Sequence, residues 1–294
     1  MHKQEKNEQK ILNQNFMKKI TLVFLITSIL GFSQNKQIRG IVTDSLHKPI
    51  QYANIGILNK PIGTVSNQNG EYLLNIDNSM NLDTLKISCL GFKSVEKVIN
   101  KIQNDNFNVS LENYLEKLEE IVIKSDNLKT YVLGKEKSNT KNQVYFAIKD
   151  RKDLNLGSEI GRKFSLGSKK PSLLKEFKFF VKENNFDMVK FRINIYTILN
   201  NRPDKKINES NIMVGLENKN KGWVNVDLTE FELKTQQDVI ISVEWIDCSR
   251  IGDKLSLPIL IPSFSSTHYY KFGTQAKWAK YGNISSSMVL TFKQ

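Results

Sequence analysis

The sequence predicts an all-β chain built from two successive β-sandwiches, and three observations carry that prediction. Apolar and polar residues alternate in short runs, as in Leu85-Lys86-Ile87-Ser88 and Phe191-Arg192-Ile193-Asn194-Ile195-Tyr196, the period-two pattern of half-buried strands. Turn formers fill the gaps between these runs, among them Pro49, Gly63 and Asn69-Gly70. With 294 residues the length suits two domains, and a polar stretch rich in Lys, Ser, Asn and Thr falls between two strand-rich regions.

The first sandwich is expected over residues 34–124. Its strands are Ile38 to Asp44, Pro49 to Ile57, Gly63 to Ile76 (interrupted at Asn69-Gly70) and Asp83 to Phe92, followed by Val95 to Ile102 and Phe107 to Leu111. Asn69-Gly70 predicts a tight hairpin, because Gly accepts the positive φ of a primed turn. Leu115, Leu118, Ile121 and Val122 begin with helix-like spacing, while Ile121-Val122-Ile123 also reads as a last strand. Asp44, Asn67, Asn69 and Asp77 fall at turns, where Asx side chains bond their own backbone, in preference to a calcium site.

This region resembles the carboxypeptidase-regulatory-like domain, a transthyretin-like β-sandwich. The resemblance rests on Gly40-x-Val42-x-Asp44, Pro49-Ile50 with Ala53-Asn54-Ile55, Gly63-Thr64, Asn69-Gly70-x-Tyr72-x-Leu74, and Ile87-Ser88 with Gly91-Phe92. Such domains accompany certain metallocarboxypeptidases without taking part in catalysis, and extend the N-terminus of many TonB-dependent outer-membrane receptors. The resemblance therefore implies a fold and no catalytic residue. In the receptors a segment like Leu118-Glu119-Glu120-Ile121-Val122-Ile123 precedes a plug, whereas here residues 125–142 read as a polar linker.

At the N-terminus, Met17-Lys18-Lys19 introduces an apolar run from Ile20 to Leu30 that closes on Gly31 and Ser33. A basic start, a short apolar core and a small residue before Gln34 read as a secretory signal over residues 1–33, with Met17 an alternative start. The run is shorter than the roughly 20 residues of a membrane span. The chain is thus expected to be exported to the periplasm or the outer surface, with membrane contact only through this segment or a peripheral partner. The formal net charge is +13, and residues 1–33 account for five lysines against two glutamates, so the exported part stays basic. No Lys/Arg block interleaved with stacking aromatics occurs, so nucleic acid is not expected as a partner.

The second domain, residues 143–294, is expected to be a larger sandwich of eight to ten strands, jelly-roll-like in pattern. Its runs are Phe177 to Val181, Phe191 to Tyr196, Trp223 to Leu228, Val239 to Trp245, Ile259 to Phe264, Tyr269 to Phe272 and Ser287 to Phe292. The chemistry available is sparse. His2, His47 and His268 lack the spacing of a zinc site, so neither metal nor cofactor is expected. His268 follows Ser265-Ser266-Thr267, but no Gly-x-Ser-x-Gly elbow accompanies it, which leaves a hydrolase as the weakest reading. Cys89 and Cys248 sit in different domains and are expected to be buried free thiols.

Aromatic residues supply the one positive functional hint. Trp245 is in phase with Val239, Ile241 and Val243 and is expected in the core, whereas Trp223 is in phase with Asn225 and Asp227. Trp223, Trp278, Tyr269 and Tyr270 are the candidate ligand-facing residues, suited to stacking on sugar rings. The expected function is a non-catalytic exported binding protein that recognises a polysaccharide or an envelope protein. The alternative is an accessory or docking protein of a TonB-dependent transporter.

Overall fold

The computed structural model describes residues 35–114, 121–123, 128–147, 155–167 and 169–294. The signal-like segment, residues 115–120 and residues 124–127 of the linker region lie outside the described residues. The first domain contains β1 (Asn35–Asp44), β2 (Asn54–Ile57), β3 (Gly63–Val65), β4 (Glu71–Asp77), β5 (Thr84–Ser88), β6 (Val95–Val98) and β7 (Val109–Leu111). The second contains β8 (Thr130–Leu133), β9 (Gln143–Ala147), β10 (Glu159–Phe164), β11 (Ser172–Val181), β12 (Glu183–Asn184), β13 (Met188–Leu199), β14 (Arg202–Lys206) and β15 (Ile212–Glu217). It continues with β16 (Gly222–Asp227), β17 (Lys234–Thr235), β18 (Val239–Cys248), β19 (Leu255–Leu260), β20 (Thr267–Lys271), β21 (Ala279–Gly282), β22 (Ser285–Ser286) and β23 (Met288–Lys293). Helix among the described residues is limited to single 3₁₀ turns.

In the first domain the sheets β4-β1-β7 and β3-β2-β5-β6 pack face to face. Alternation decides which side chains lie between them: Tyr72, Leu74 and Ile76 of β4 point in, as do Leu85 and Ile87 of β5 and Ile38 and Val42 of β1. The Asn69-Gly70 turn forms, with Gly70 at φ +74°, but it does not close a two-stranded hairpin. Instead β3 stays in one sheet and β4 crosses to pair with β1, because Val42 donates its N–H to Gly70 O at 2.8 Å and draws the turn onto β1. A Cβ at position 70 would lie 2.5 Å from Val42 O, so only Gly permits this approach. Asp44, Asn67 and Asp77 accept backbone N–H groups two to four residues on, the Asx turns that the sequence predicts.

The second domain sets a seven-stranded sheet, β14-β13-β18-β10-β20-β21 with β15 also on β13, against two adjoining sheets. Those are β16-β11-β23-β8 with β17 on β11, and β12-β19-β22 with β9 on β19. They join through Lys182 N–H to Ser256 O and Phe180 N–H to Ser287 O. Phe177 and Phe179 from one layer meet Phe191, Ile193, Val243 and Trp245 from the other. Phe179 meets Phe191 edge to face at 5.4 Å between ring centroids. Trp245 is fully buried, as its phase predicts.

Several expectations are corrected by these strands. Thr130–Leu133, inside the stretch read as linker, is strand β8 and pairs with β23. Ile121-Val122-Ile123 is not a strand. The described residues of the second domain hold sixteen strands, more than the eight to ten expected; polar β14 and the two-residue strands carry no hydrophobic signature. The run Ile259 to Phe264 is out of register: β19 ends at Leu260, Pro262 breaks the ladder, and Phe264 is 78 % exposed in the turn.

Candidate functional site

A polar cluster lies on the face of the seven-stranded sheet that points away from its own core. The period of two in β13 brings Arg192, Asn194 and Tyr196 to that face, and cross-strand register sets Glu244 opposite Arg192 and Ser242 opposite Asn194 on β18. Glu159 of β10 pairs in turn with Glu244 and with Lys271 of β20. Two carboxylates, two fixed cations, an amide, a hydroxyl and a phenol are thereby aligned in one row across four strands.

A dense set of hydrogen bonds links these groups. Arg192 Nε donates to Glu244 Oε2 at 2.8 Å, and Asn194 Nδ2 donates to the same oxygen at 2.8 Å and to Glu159 Oε2 at 3.2 Å. Glu159 Oε2 also accepts Tyr196 Oη–H at 2.9 Å and Ser242 Oγ–H at 2.7 Å, while Lys271 Nζ forms an ion pair with Glu159 Oε1. Arg192, Glu159, Asn194, Ser242 and Glu244 are at most 2 % exposed. Such burial would be prohibitive for unpaired charges and is tolerable here because each charge faces its opposite.

The cover over this row is the first domain. Arg192 extends its guanidinium past Glu244 to donate to Tyr52 O at 2.9 Å and to Asn54 Oδ1 at 2.7 Å. Lys190 Nζ donates to Tyr52 Oη at 2.7 Å, and Tyr52 Oη–H reaches Asp247 Oδ2 at 3.2 Å. Thr274 Oγ1–H donates to Ile55 O at 2.7 Å, Gln275 Nε2 to Ser88 Oγ at 2.8 Å, and Asn59 N–H to Gln275 O at 2.9 Å. Backbone approach is close enough that a Cβ at Gly63 would lie 2.3 Å from Thr274 Oγ1. Tyr52, Val65 and Ile246 add an apolar patch that spans the two domains.

Burial and neighbouring charge set the protonation states. Burial alone would raise the Glu244 carboxyl, but Arg192, Lys206 and Lys271 outweigh it and hold it well below the usual carboxylate range. Burial would lower Arg192, yet Glu244 keeps it firmly charged. Lys206, at the rim with its ammonium 5.8 Å from the Tyr196 ring, is pushed down to about 8 by burial and by the charge of Arg192. Burial raises the Cys89 thiol, partly offset by Arg192 and Lys206. Both cysteines are free and half-buried, Cys248 pushed up to about 12 by burial.

The sequence-predicted aromatic residues are dispersed. Tyr269 and Tyr270 do not face a ligand, a correction that follows from the sheet being covered on both sides. Tyr269 is buried under Trp278 with its hydroxyl on Asn201 O, and Tyr270 points into the sandwich core with its hydroxyl on Tyr145 O. Trp223 is half-buried and meets Phe180 edge to face at 5.4 Å, on the opposite layer from the polar row. Trp278 is half-buried and stands beside the row, edge to face with Tyr196 at 5.7 Å and with Lys271 Nζ 5.2 Å from its centroid. The residues that sequence reasoning missed are the polar ones, although Arg192, Asn194, Ser242 and Glu244 interrupt otherwise apolar strands at matching intervals of two.

His268 is buried with Nδ1 2.7 Å from Ser286 Oγ, and Ser286 is itself fully buried. Burial pushes the imidazole down to about 4. Its folded value lies below the unfolded one near 6.5, so its contribution to stability is complete above pH 6.5 and is lost as pH falls towards 4. The full effect is about 3 kcal/mol. Urea denaturation is expected to show this loss between pH 6.5 and 4 in the wild type and a flatter profile in His268→Gln. Identical slopes would contradict it. His47 is exposed in a turn at φ +60°. Among the described residues no three His, Cys, Asp or Glu side chains are placed to hold a metal ion.

Residues 38–123 match the family model of the CarboxypepD_reg-like domain. No curated protein matches the chain. Similar solved structures include the cysteine protease and lectin-like domains of Cwp84, a surface layer associated protein of Clostridium difficile. That match has 12% identity, covers 47% of this chain and 32% of the other, and has a TM-score of 0.37. Others are the infectious bursal disease virus Gx strain structure (9%, 88% and 63%, 0.29) and BcpA*(D312A), the major pilin subunit of Bacillus cereus (10%, 86% and 69%, 0.19). The chain thus spans about a third of the Cwp84 structure and under two thirds of the viral one.

Proposed function

We propose, from the premise that residues 38–123 are a CarboxypepD_reg-like domain, that the chain is an exported, non-catalytic binding protein of the cell envelope that recognises a glycan. The observation that carries this reading is the seam itself. Arg192, Thr274 and Gln275 tie the two domains together through buried hydrogen bonds, which suits a fixed recognition unit. The half-buried Trp223 and Trp278, one on each layer of the second domain, supply aromatic surface for a sugar ring. The buried Ser286–His268 pair argues against a hydrolase, since a nucleophile has to reach its substrate.

A second reading, docking to a TonB-dependent transporter, draws support from Ile41 and Leu73. They are 40 % and 50 % exposed on the outer face of the β1–β4 pair. The test is retention of the purified chain on neutral polysaccharides and on solubilised envelope extract, at low and high salt. Retention on a neutral glycan at high salt, reduced about tenfold or more by Trp223→Ala or Trp278→Ala, is the expected result. Capture of an envelope protein alone favours docking, and retention that disappears with salt reduces the effect to net positive charge.

A further inference from the structure

Three exposed apolar side chains meet at one end of the second domain: Ile261 is 50 % exposed, Phe264 78 % and Tyr281 40 %. The backbone brings them together. Ser263 N–H donates to Asn283 O at 2.8 Å and Asn283 N–H to Ser266 O at 3.0 Å, which fastens the loop 261–266 to the turn that follows β21. Within the loop, Ser266 N–H returns to Ser263 O at 3.2 Å and Ser263 Oγ–H donates to Ser266 Oγ at 3.1 Å, so Phe264 stands on a closed turn. The loop leads into β20 at Thr267, and Lys271 of the polar row is the last residue of that strand. The tip therefore lies at the opposite end of β20 from the seam.

Charge around the tip has one sign. The chain has no Asp or Glu from Lys254 to Gln294, and none over residues 137–149. Both stretches build this end of the domain: Thr140 Oγ1–H donates to Ile259 O at 3.0 Å, Ile259 N–H donates to Asn142 O at 3.1 Å, and Ser287 Oγ–H donates to Lys137 O at 2.6 Å. Lys141 thus sits between two residues bonded to Ile259, two positions before Ile261, and Lys280 precedes Tyr281 on β21. Both lysines are exposed. Asp238, which precedes β18 at this end of the sheet, is already held by Lys163 at 2.9 Å and by Leu166 N–H at 3.0 Å.

The shape and the charge together select the occupant. A protein partner would have to supply a pocket for Phe264 and acids for the lysines. An anionic phospholipid surface supplies both without a matching shape: its acyl boundary accepts small apolar tips, its phosphates attract Lys, and its headgroup level suits an amphipathic ring such as Tyr281. We infer that the loop 261–266, with Tyr281, Lys141 and Lys280, is a contact surface for an anionic phospholipid bilayer, entered by Phe264 and Ile261. The contact is peripheral and reversible, since one short loop buries little apolar area. It goes beyond the glycan-binding reading and does not depend on it.

The test is binding of the full chain to vesicles of phosphatidylcholine alone and of phosphatidylcholine with about a third phosphatidylglycerol, by co-sedimentation. Tighter binding to the anionic vesicles is expected, weakened about tenfold or more by Phe264→Ser and about fivefold by each of Lys141→Gln and Lys280→Gln. Leu82→Ser, at an equally exposed leucine of the first domain, should leave it unchanged. Phe264→Trp adds an indole at the tip, and brominated acyl chains should quench it beyond the level seen in the wild type. That readout belongs to the loop, so binding through the apolar run of residues 20–30 does not imitate it. Equal affinity for the two kinds of vesicle, or no added quenching in Phe264→Trp, overturns the inference. So does a Phe264→Ser chain that keeps its vesicle binding and instead loses retention of an envelope protein, which would make the tip a protein contact.

Discussion

Replacing Arg192 by Met is expected to destabilise the chain by about 3–5 kcal/mol, the range for breaking one partner out of a buried ion pair. The guanidinium holds Glu244 Oε2 at 2.8 Å and simultaneously caps Tyr52 O and Asn54 Oδ1 of the first domain. Met fills much of the space but leaves Glu244 buried without its principal cation, and leaves two acceptors of the first domain without a donor. The loss should therefore appear both as a lower urea midpoint and as faster amide exchange at Asn59, whose N–H crosses the seam to Gln275 O. Adding Glu244→Leu should recover part of the stability, because the stranded charge is then gone. A single variant as stable as wild type would mean that the pair contributes nothing net.

Trp245→Ala is expected to cost a similar 3–5 kcal/mol, by a different mechanism. The indole is fully buried between Phe146 and Phe186, with ring centroids at 6.4 and 5.5 Å, and Nε1–H donates to Asp247 O at 3.1 Å. Removing it leaves a cavity in the core of the second domain and touches none of the hydrogen bonds across the seam. Exchange at Asn59 should therefore follow global stability in this variant, whereas in Arg192→Met it should rise ahead of it. Equal exchange profiles in the two variants would contradict the separation of core from seam.

The contrast between these two residues shows what the sequence makes legible. Trp245 is readable because Val239, Ile241, Val243 and Trp245 share one strand face, and a face so apolar has one destination. The first domain is legible for the same reason, helped by Gly70, Gly40 and the Asx turns, which impose local geometry whatever surrounds them. Arg192 is not readable in that way. Its alternation with Phe191 and Ile193 marks it as belonging to the polar face, and a polar face ordinarily meets water. Only the docking of a second domain turns that face inward, and docking depends on contacts between residues as distant in the chain as Asn54 and Arg192. The burial of Tyr269 and Tyr270 escapes the sequence for the same reason: neighbours in a strand point to opposite faces, and both faces here are covered. Thr130–Leu133 was hidden differently, since its side chains are mostly exposed and its place comes from backbone pairing with β23.

A buried polar seam closes the two sandwiches into one mechanical unit. Scanning calorimetry of the chain tests it most directly. A single transition with equal calorimetric and van't Hoff enthalpies, shifted as a whole to lower temperature by Arg192→Met, is the predicted result. Two separable transitions, one of them unmoved by that substitution, would show that the domains unfold independently and would contradict the claim.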